Sequence, residues 1–255
     1  MGHRMWIAAW AILLAGLAVG QTGSAGPAGR TVLEEGRLII YFRNAEVGFE
    51  KYVLARQPDG RMVMETESEL VLPRGAGNTF FAYQTKEIMD DKFNPIEYTD
   101  NFTVNDRPSN VYVTFSGGKA NDSAIMGGQA LSRTAKVSAD FRILEEAVFS
   151  QYALILRKYG HSREPNVPIR LYIPKIAQEL GGKISFSGEQ KVTTPLGEMT
   201  LRRFFIDVGG FQGVAVGVNE RNQLMEMTIT RQELTLVRDL AYDMKQALPA
   251  APAAQ

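Results

Sequence analysis

Ser116-Gly117-Gly118-Lys119 has the Ser-x-x-Lys spacing in which a lysine amine can take the proton of an attacking serine hydroxyl. That chemistry needs the serine to open a helix. Here it follows an alternating strand pattern and runs into two glycines, so a hairpin turn is expected. His161-Ser162 would need a third, orienting group to act as base and nucleophile. It lies instead in the polar loop from Gly160 to Asn166, where a solitary histidine is expected to face solvent. Asp90-Asp91 reads as a loop pair without the dense oxygen spacing of a calcium loop. Glu65, Glu67 and Glu69 share one strand face, opposite Met64, Thr66, Ser68 and Leu70, and read as a solvated surface. There is no Gly-x-Ser-x-Gly elbow. The chain has no cysteine, which removes thiolate nucleophiles and thiolate metal sites, and its two histidines are His3 and His161. No metal ligand set and no cofactor is expected.

Aromatic and methionine residues carry a different kind of chemistry. Phe81, Tyr83, Tyr112, Tyr152, Phe204 and Met225 are expected to line a hollow able to adapt to an acyl chain or another lipophilic guest. The competing reading is that they fill an ordinary core, as aromatic strand residues do.

What would position these side chains is mostly strand. Val111, Val113 and Phe115 alternate with Tyr112 and Thr114, and Ile169, Leu171 and Ile173 alternate with Arg170 and Tyr172. Ile184 and Phe186, then Val214, Val216 and Val218, then Met225, Met227 and Ile229 repeat the pattern. A period of two with one buried and one wetter face is the antiparallel habit. Turn residues at Asn44–Gly48, Pro58-Asp59-Gly60, Asn105–Pro108, Pro195-Leu196-Gly197, Gly209-Gly210 and Asn219–Asn222 make successive hairpins the simplest connection. The exception is Phe141, Leu144, Val148, Tyr152, Ile155 and Tyr159, spaced by three or four with acidic residues early, basic residues late and Gly160 beyond. That predicts a helix over Asp140 to Tyr159 ending in a left-handed glycine. For 233–245 two readings stand. Glu233–Arg238 forms a last strand with Leu234 and Leu236 inward and a helical turn after it, or Thr230 and Glu233 cap a second helix.

The first twenty residues have a basic start, an apolar run from Met5 to Val19 and a small-x-small site at Ala18-Val19-Gly20. This is the pattern of a cleavable secretory signal, too short to remain as a membrane span. A flexible linker over 21–30, one β-rich domain over 31–245 and a disordered Ala/Pro tail over 246–255 complete the expected layout. The leader holds one of the 28 basic residues and none of the 28 acidic ones, leaving a formal charge of −1. Such a balance offers no field for nucleic acid. Without cysteine the lipid anchor common at bacterial N-termini has no attachment point, and a periplasmic or secreted location is expected.

The hairpin from Leu38 to Leu54, with Val47-Gly48-Phe49-Glu50, and then Gln151–Tyr159, Val167–Pro174 and the closing strands, resemble uncharacterised bacterial periplasmic β-rich domains. Some of those precede an α/β-hydrolase-like domain. Their strand order is similar to the half-barrel of LolA- and LolB-like lipoprotein carriers. The resemblance implies a strongly curved antiparallel sheet, a meander wrapped around one helix, in a shape that encloses acyl chains in the carriers. The expected function is an exported binding module for a lipid or other lipophilic molecule rather than an enzyme. An envelope hydrolase of Ser/Lys or carboxylate type and a structural module contacting another envelope protein are the alternatives. A cavity of at least about 300 Å³ separates the carrier from the structural module.

Overall fold

Four two-residue turns, Arg43-Asn44, Asn105-Asp106, Gly117-Gly118 and Gly127-Gly128, have both residues at positive φ. Such turns match the right-handed twist of the strands they join and so fold each strand directly back on the last. The computed structural model describes residues 29–75, 77–210 and 212–247. Its strands are β1 (Thr31–Phe42), β2 (Ala45–Arg56), β3 (Met62–Arg74), β4 (Gly77–Met89), β5 (Pro95–Val104), β6 (Arg107–Ser116), β7 (Lys119–Met126) and β8 (Gln129–Lys136). There follow β9 (Arg142–Ile143), helix α1 (Gln151–Tyr159), β10 (Val167–Ile173), β11 (Gln178–Thr194), β12 (Gly197–Val208), β13 (Gln212–Val218), β14 (Leu224–Ile229), β15 (Leu234–Arg238) and helix α2 (Leu240–Ala247).

All fifteen strands belong to one sheet, in the order β8 back to β1, then β15 back to β9. The sequence meanders outward in both directions from the β1–β15 pair, where Leu38 faces Arg238 and Ile40 faces Leu236. Every pairing is antiparallel except β9 with β10. The two edges, β8 and β9, are consecutive in the chain, so the sheet curls until its ends approach across residues 137–141. Side chains span the remaining seam. Arg133 donates to the carbonyls of Pro174 at 3.1 Å and Lys175 at 2.9 Å, and the Ser138 hydroxyl donates to Glu179 at 2.7 Å.

The concave side holds the core. Leu38, Ile40, Leu54, Met62, Val111, Val113, Val214, Val216 and Leu236 are buried on it, as the alternation requires. Residues Gln151 to Leu156 of α1 are all buried, because the helix lies inside the curve of the sheet. Two glutamates pin it. The Glu50 carboxylate accepts from the backbone N–H of Phe149 at 2.7 Å and of Ser150 at 2.5 Å. At the other end Arg157 pairs with Glu34.

The helix begins later than its periodicity predicts. Residues 140–150 are irregular: Arg142–Ile143 pair with β10, and Ala147 is left-handed at φ 61°. Phe141, Leu144 and Val148 are nonetheless buried. Spacing of three to four therefore reported burial correctly but not helix, because the backbone donors of this stretch are taken elsewhere. Leu144 N–H goes to Tyr172, Glu145 N–H to the Gln151 side chain, and Phe149 and Ser150 to Glu50. Gly160 ends the helix at φ −71° rather than in the left-handed region. A Cβ there would lie 2.4 Å from the Leu156 carbonyl oxygen.

At the C-terminal end both expected elements occur in succession, β15 with Leu234 and Leu236 buried and then α2. The capping-box reading of Thr230 and Glu233 does not hold. Thr230 is the first residue of a one-turn 3-10 helix, and Glu233, which caps its end at φ 55°, pairs with Arg43. Gly48 stands within β2 rather than in a turn, where its missing Cβ lets the Glu69 carbonyl oxygen and the Leu70 backbone pass close by. The expected leader lies outside the described residues, as does the tail beyond Ala247, while Gln246 and Ala247 belong to α2.

Candidate functional site

The concave face is apolar in its β12–β15 half apart from Arg238, and carries a polar band across β2–β5. Cross-strand register builds the band row by row. Glu50 faces Ser68, which faces Tyr83, which faces Phe102. In the next row Thr66, Thr85 and Asp100 are neighbours, and in the one after it Glu87 faces Tyr98. Ser68, Thr66, Thr85, Glu87 and Asp100 are all buried. Neither carboxylate oxygen of Glu87 or of Asp100 has a hydrogen-bond partner. Burial pushes Glu87 up to about 8, against the attraction of Arg142, and pushes Asp100 up to about 7, against that of Lys175. Glu50 is raised to about 7 by burial even though two backbone N–H groups hold its charged form.

A cleft of about 430 Å³ lies beside the N-terminus of α1, and Lys175, which lines it, reaches the band at Asp100. Leu144, Phe149, Tyr152, Ile173, Leu180, Val208 and Ile229 supply its apolar wall. Polar groups converge at two places. At one, the Gln232 amide donates to Gln212 at 3.0 Å, and the Gln212 amide approaches the Tyr152 hydroxyl at 3.5 Å. At the other, the Lys175 ammonium lies 3.4 Å from Glu145 and 3.9 Å from Asp100. It also sits 4.6 Å from the centroid of the Tyr83 ring and 4.4 Å from that of Phe102, within cation–π range. Glu145 further accepts from the backbone N–H of Glu146 and of Lys175, and burial raises its pKa. The one-turn 3-10 helix Pro174–Ile176 presents Lys175 and ends on Ala177, left-handed at φ 50°.

The six residues expected to line a hollow are dispersed. Tyr152 lines the cleft. Tyr83 stands behind it under Lys175, and Phe81 stacks on Tyr83 at 6.4 Å. Phe204 is buried against Phe186, 5.6 Å away, as core. Met225 lines a second depression of about 820 Å³ between the β11–β12 hairpin and α2, whose lining is mostly charged or polar. Tyr112 is 39 % exposed on the convex face, because Val111 and Val113 on either side take the inward positions. Sequence reasoning passed over Glu145, Lys175, Asp100, Glu87 and Gln212. For two of them a signal existed. Glu87 keeps the phase of Phe81, Tyr83 and Met89, and Asp100 that of Tyr98 and Phe102, so both had to point inward. Nothing in the local pattern marks Lys175, which reaches the cleft through the turn after β10.

The remaining chemical candidates sit outside. Ser116 and Lys119 face each other across an exposed hairpin whose Gly117 and Gly118 have φ of 57° and 71°. His161 is exposed, as are Glu67 and Glu69, and Glu65 pairs with Arg30. Asp90 spends its carboxylate on its own turn, accepting from the backbone of Lys92 and Asn94. Among the described residues no group of three or more His, Cys, Asp or Glu could hold a metal ion, and no helix is long and apolar enough to cross a membrane.

One curved, open, mostly antiparallel sheet around a short helix defines a β-barrel-like fold. A β-barrel-like protein of the domain of unknown function DUF1849 from Brucella abortus superposes with a TM-score of 0.56 at 8 % identity, over 80 % of this chain and 94 % of that one. A DUF1089 family protein from Pseudomonas aeruginosa reaches a TM-score of 0.42 at 12 % identity over 88 % and 95 %. No protein-family model matches the chain, and no curated protein matches it in sequence.

Proposed function

We propose that this chain is an exported binding module, not an enzyme, and that a lipophilic small molecule occupies the cleft beside α1. The observation that carries the reading is the cleft itself. Its volume of about 430 Å³ exceeds the lower bound for small-molecule sites, its wall is aliphatic and aromatic, and its polar groups converge at two defined places. Export rests on the leader-like pattern of residues 1–20. The β-barrel-like fold suits a carrier because one concave face both covers the helix and leaves room at its N-terminal end.

The Ser/Lys form of the hydrolase alternative loses its motivation, since Ser116 and Lys119 are exposed at a hairpin and line neither depression. Native mass spectrometry of the protein isolated from the cell that makes it tests the proposal. A retained amphiphile, lost when Gln212→Trp fills the cleft of a normally folded variant, is expected. A bare polypeptide mass, unchanged after incubation with excess long-chain alcohol, would remove the reading.

A further inference from the structure

We propose that the guest carries an amine or ammonium head and that the Lys175 end of the cleft discriminates against carboxylate heads. This inference rests on the cleft being a lipophilic binding site.

The charged side chains lining the cleft are Glu145, Glu146 and Lys175, and Asp100 lies directly behind Lys175. That is three carboxyl groups to one ammonium. Arg133, which reaches the Pro174 and Lys175 carbonyls across the seam, is committed to them and to Asp122 at 3.0 Å. An anionic head entering here meets a surplus of like charge in a partly desolvated place, where such juxtaposition costs most. An ammonium meets the reverse.

The protein already seats an alkylammonium in this position. Lys175 is a primary amine on an alkyl stem, held over the faces of Tyr83 and Phe102 and between Glu145 and Asp100. Aromatic faces closed by carboxylates are the arrangement by which proteins recognise ammonium ligands. Asp100, completely buried with both oxygens free of hydrogen bonds, retains acceptor capacity that Lys175 at 3.9 Å does not use. Burial raises Asp100 to about 7, so above that pH its charge adds to the preference.

Three probes of equal chain length separate the head from the tail: decan-1-ol, decylamine and decanoate, each displacing N-phenyl-1-naphthylamine from the full chain at about pH 8 and low ionic strength, where charge effects are largest. Binding of decan-1-ol reports on the cleft alone. The expected result is that all apolar chains compete, decylamine at least about tenfold more tightly than decanoate, a difference of about 1.4 kcal/mol. Glu146→Gln, at an exposed side chain, should narrow that gap several-fold. Lys175→Met, checked for native circular dichroism, should tighten decylamine. If decan-1-ol binds but decanoate matches or exceeds decylamine, or Glu146→Gln leaves the gap intact, the head-group inference fails while the binding module survives. If none of the three binds, both fall.

Discussion

The Glu50 carboxylate on β2 accepts hydrogen bonds from the backbone of Ser150, a hundred positions further along the chain, and of Phe149 beside it. A carboxyl group thus completes the N-terminus of a helix whose own N-cap serine makes no side-chain cap. The Ser150 hydroxyl instead lies 2.9 Å from that of Thr66 on β3. The contact places α1, and with it Phe149 and Tyr152, against the cleft. Glu50→Ala is expected to cost on the order of 1–3 kcal/mol by leaving two buried N–H groups without an acceptor. A lowered urea midpoint at unchanged m-value would show it, and an unaltered midpoint would contradict it.

Stability should fall between mildly acidic and mildly alkaline pH. Glu50 and Asp100 are raised to about 7 and Glu87 to about 8 in the folded protein, mainly by burial. Between the unfolded carboxyl range and those values the folded state holds more protons than the unfolded one. Raising the pH through that window therefore favours unfolding. The midpoint of thermal unfolding is expected to be several degrees higher at about pH 5 than at about pH 8, and Glu87→Gln should shrink the difference. A midpoint that rises with pH would overturn this.

Arg238 joins four elements. Its guanidinium donates to the Tyr52 hydroxyl at 2.7 Å, the Glu35 carbonyl at 2.7 Å and Asp243 at 2.6 Å, and it lies 3.4 Å from Glu34. Removing it leaves Glu34 buried with Arg157 as its remaining ion-pair partner, so Arg238→Met should destabilise by about 3–5 kcal/mol. It should also release α2, read as faster proteolysis near residue 243. Gly36→Ala should reproduce part of the effect, because a Cβ there would come within 2.7 Å of the guanidinium.

Ser116→Ala and Lys119→Ala should each stay within about 0.5 kcal/mol of the parent, as surface changes do. Gly117→Val, at φ 57°, should cost more, since a β-branched side chain is strained there. Differential scanning calorimetry compares the three.

Much of the sheet was legible because alternation states which way each strand faces. Val111, Val113, Val214, Val216 and Leu236 could be assigned inward from spacing alone. The helix was half legible. Phe141, Leu144 and Val148 have helical spacing and are buried, yet acceptors from β2 and β10, invisible locally, draw their backbone out of helix. Tyr112 follows the outward phase set by Val111 and Val113, which aromatic character does not override. Glu87 and Asp100 follow the inward phase of their strands despite their charge, which residue type alone conceals. The cleft itself was not legible, because it forms where β10, β12, β13, β14 and the segment before α1 converge, and no single stretch of chain records that meeting.

The most direct measurement is a crystal structure of the chain grown with decan-1-ol. Density for the alkyl chain between Leu144, Leu180, Val208 and Ile229, with the hydroxyl at Lys175–Glu145 or at Gln212, is the predicted result. A cleft closed by those same side chains, with no alcohol inside it, would contradict the account.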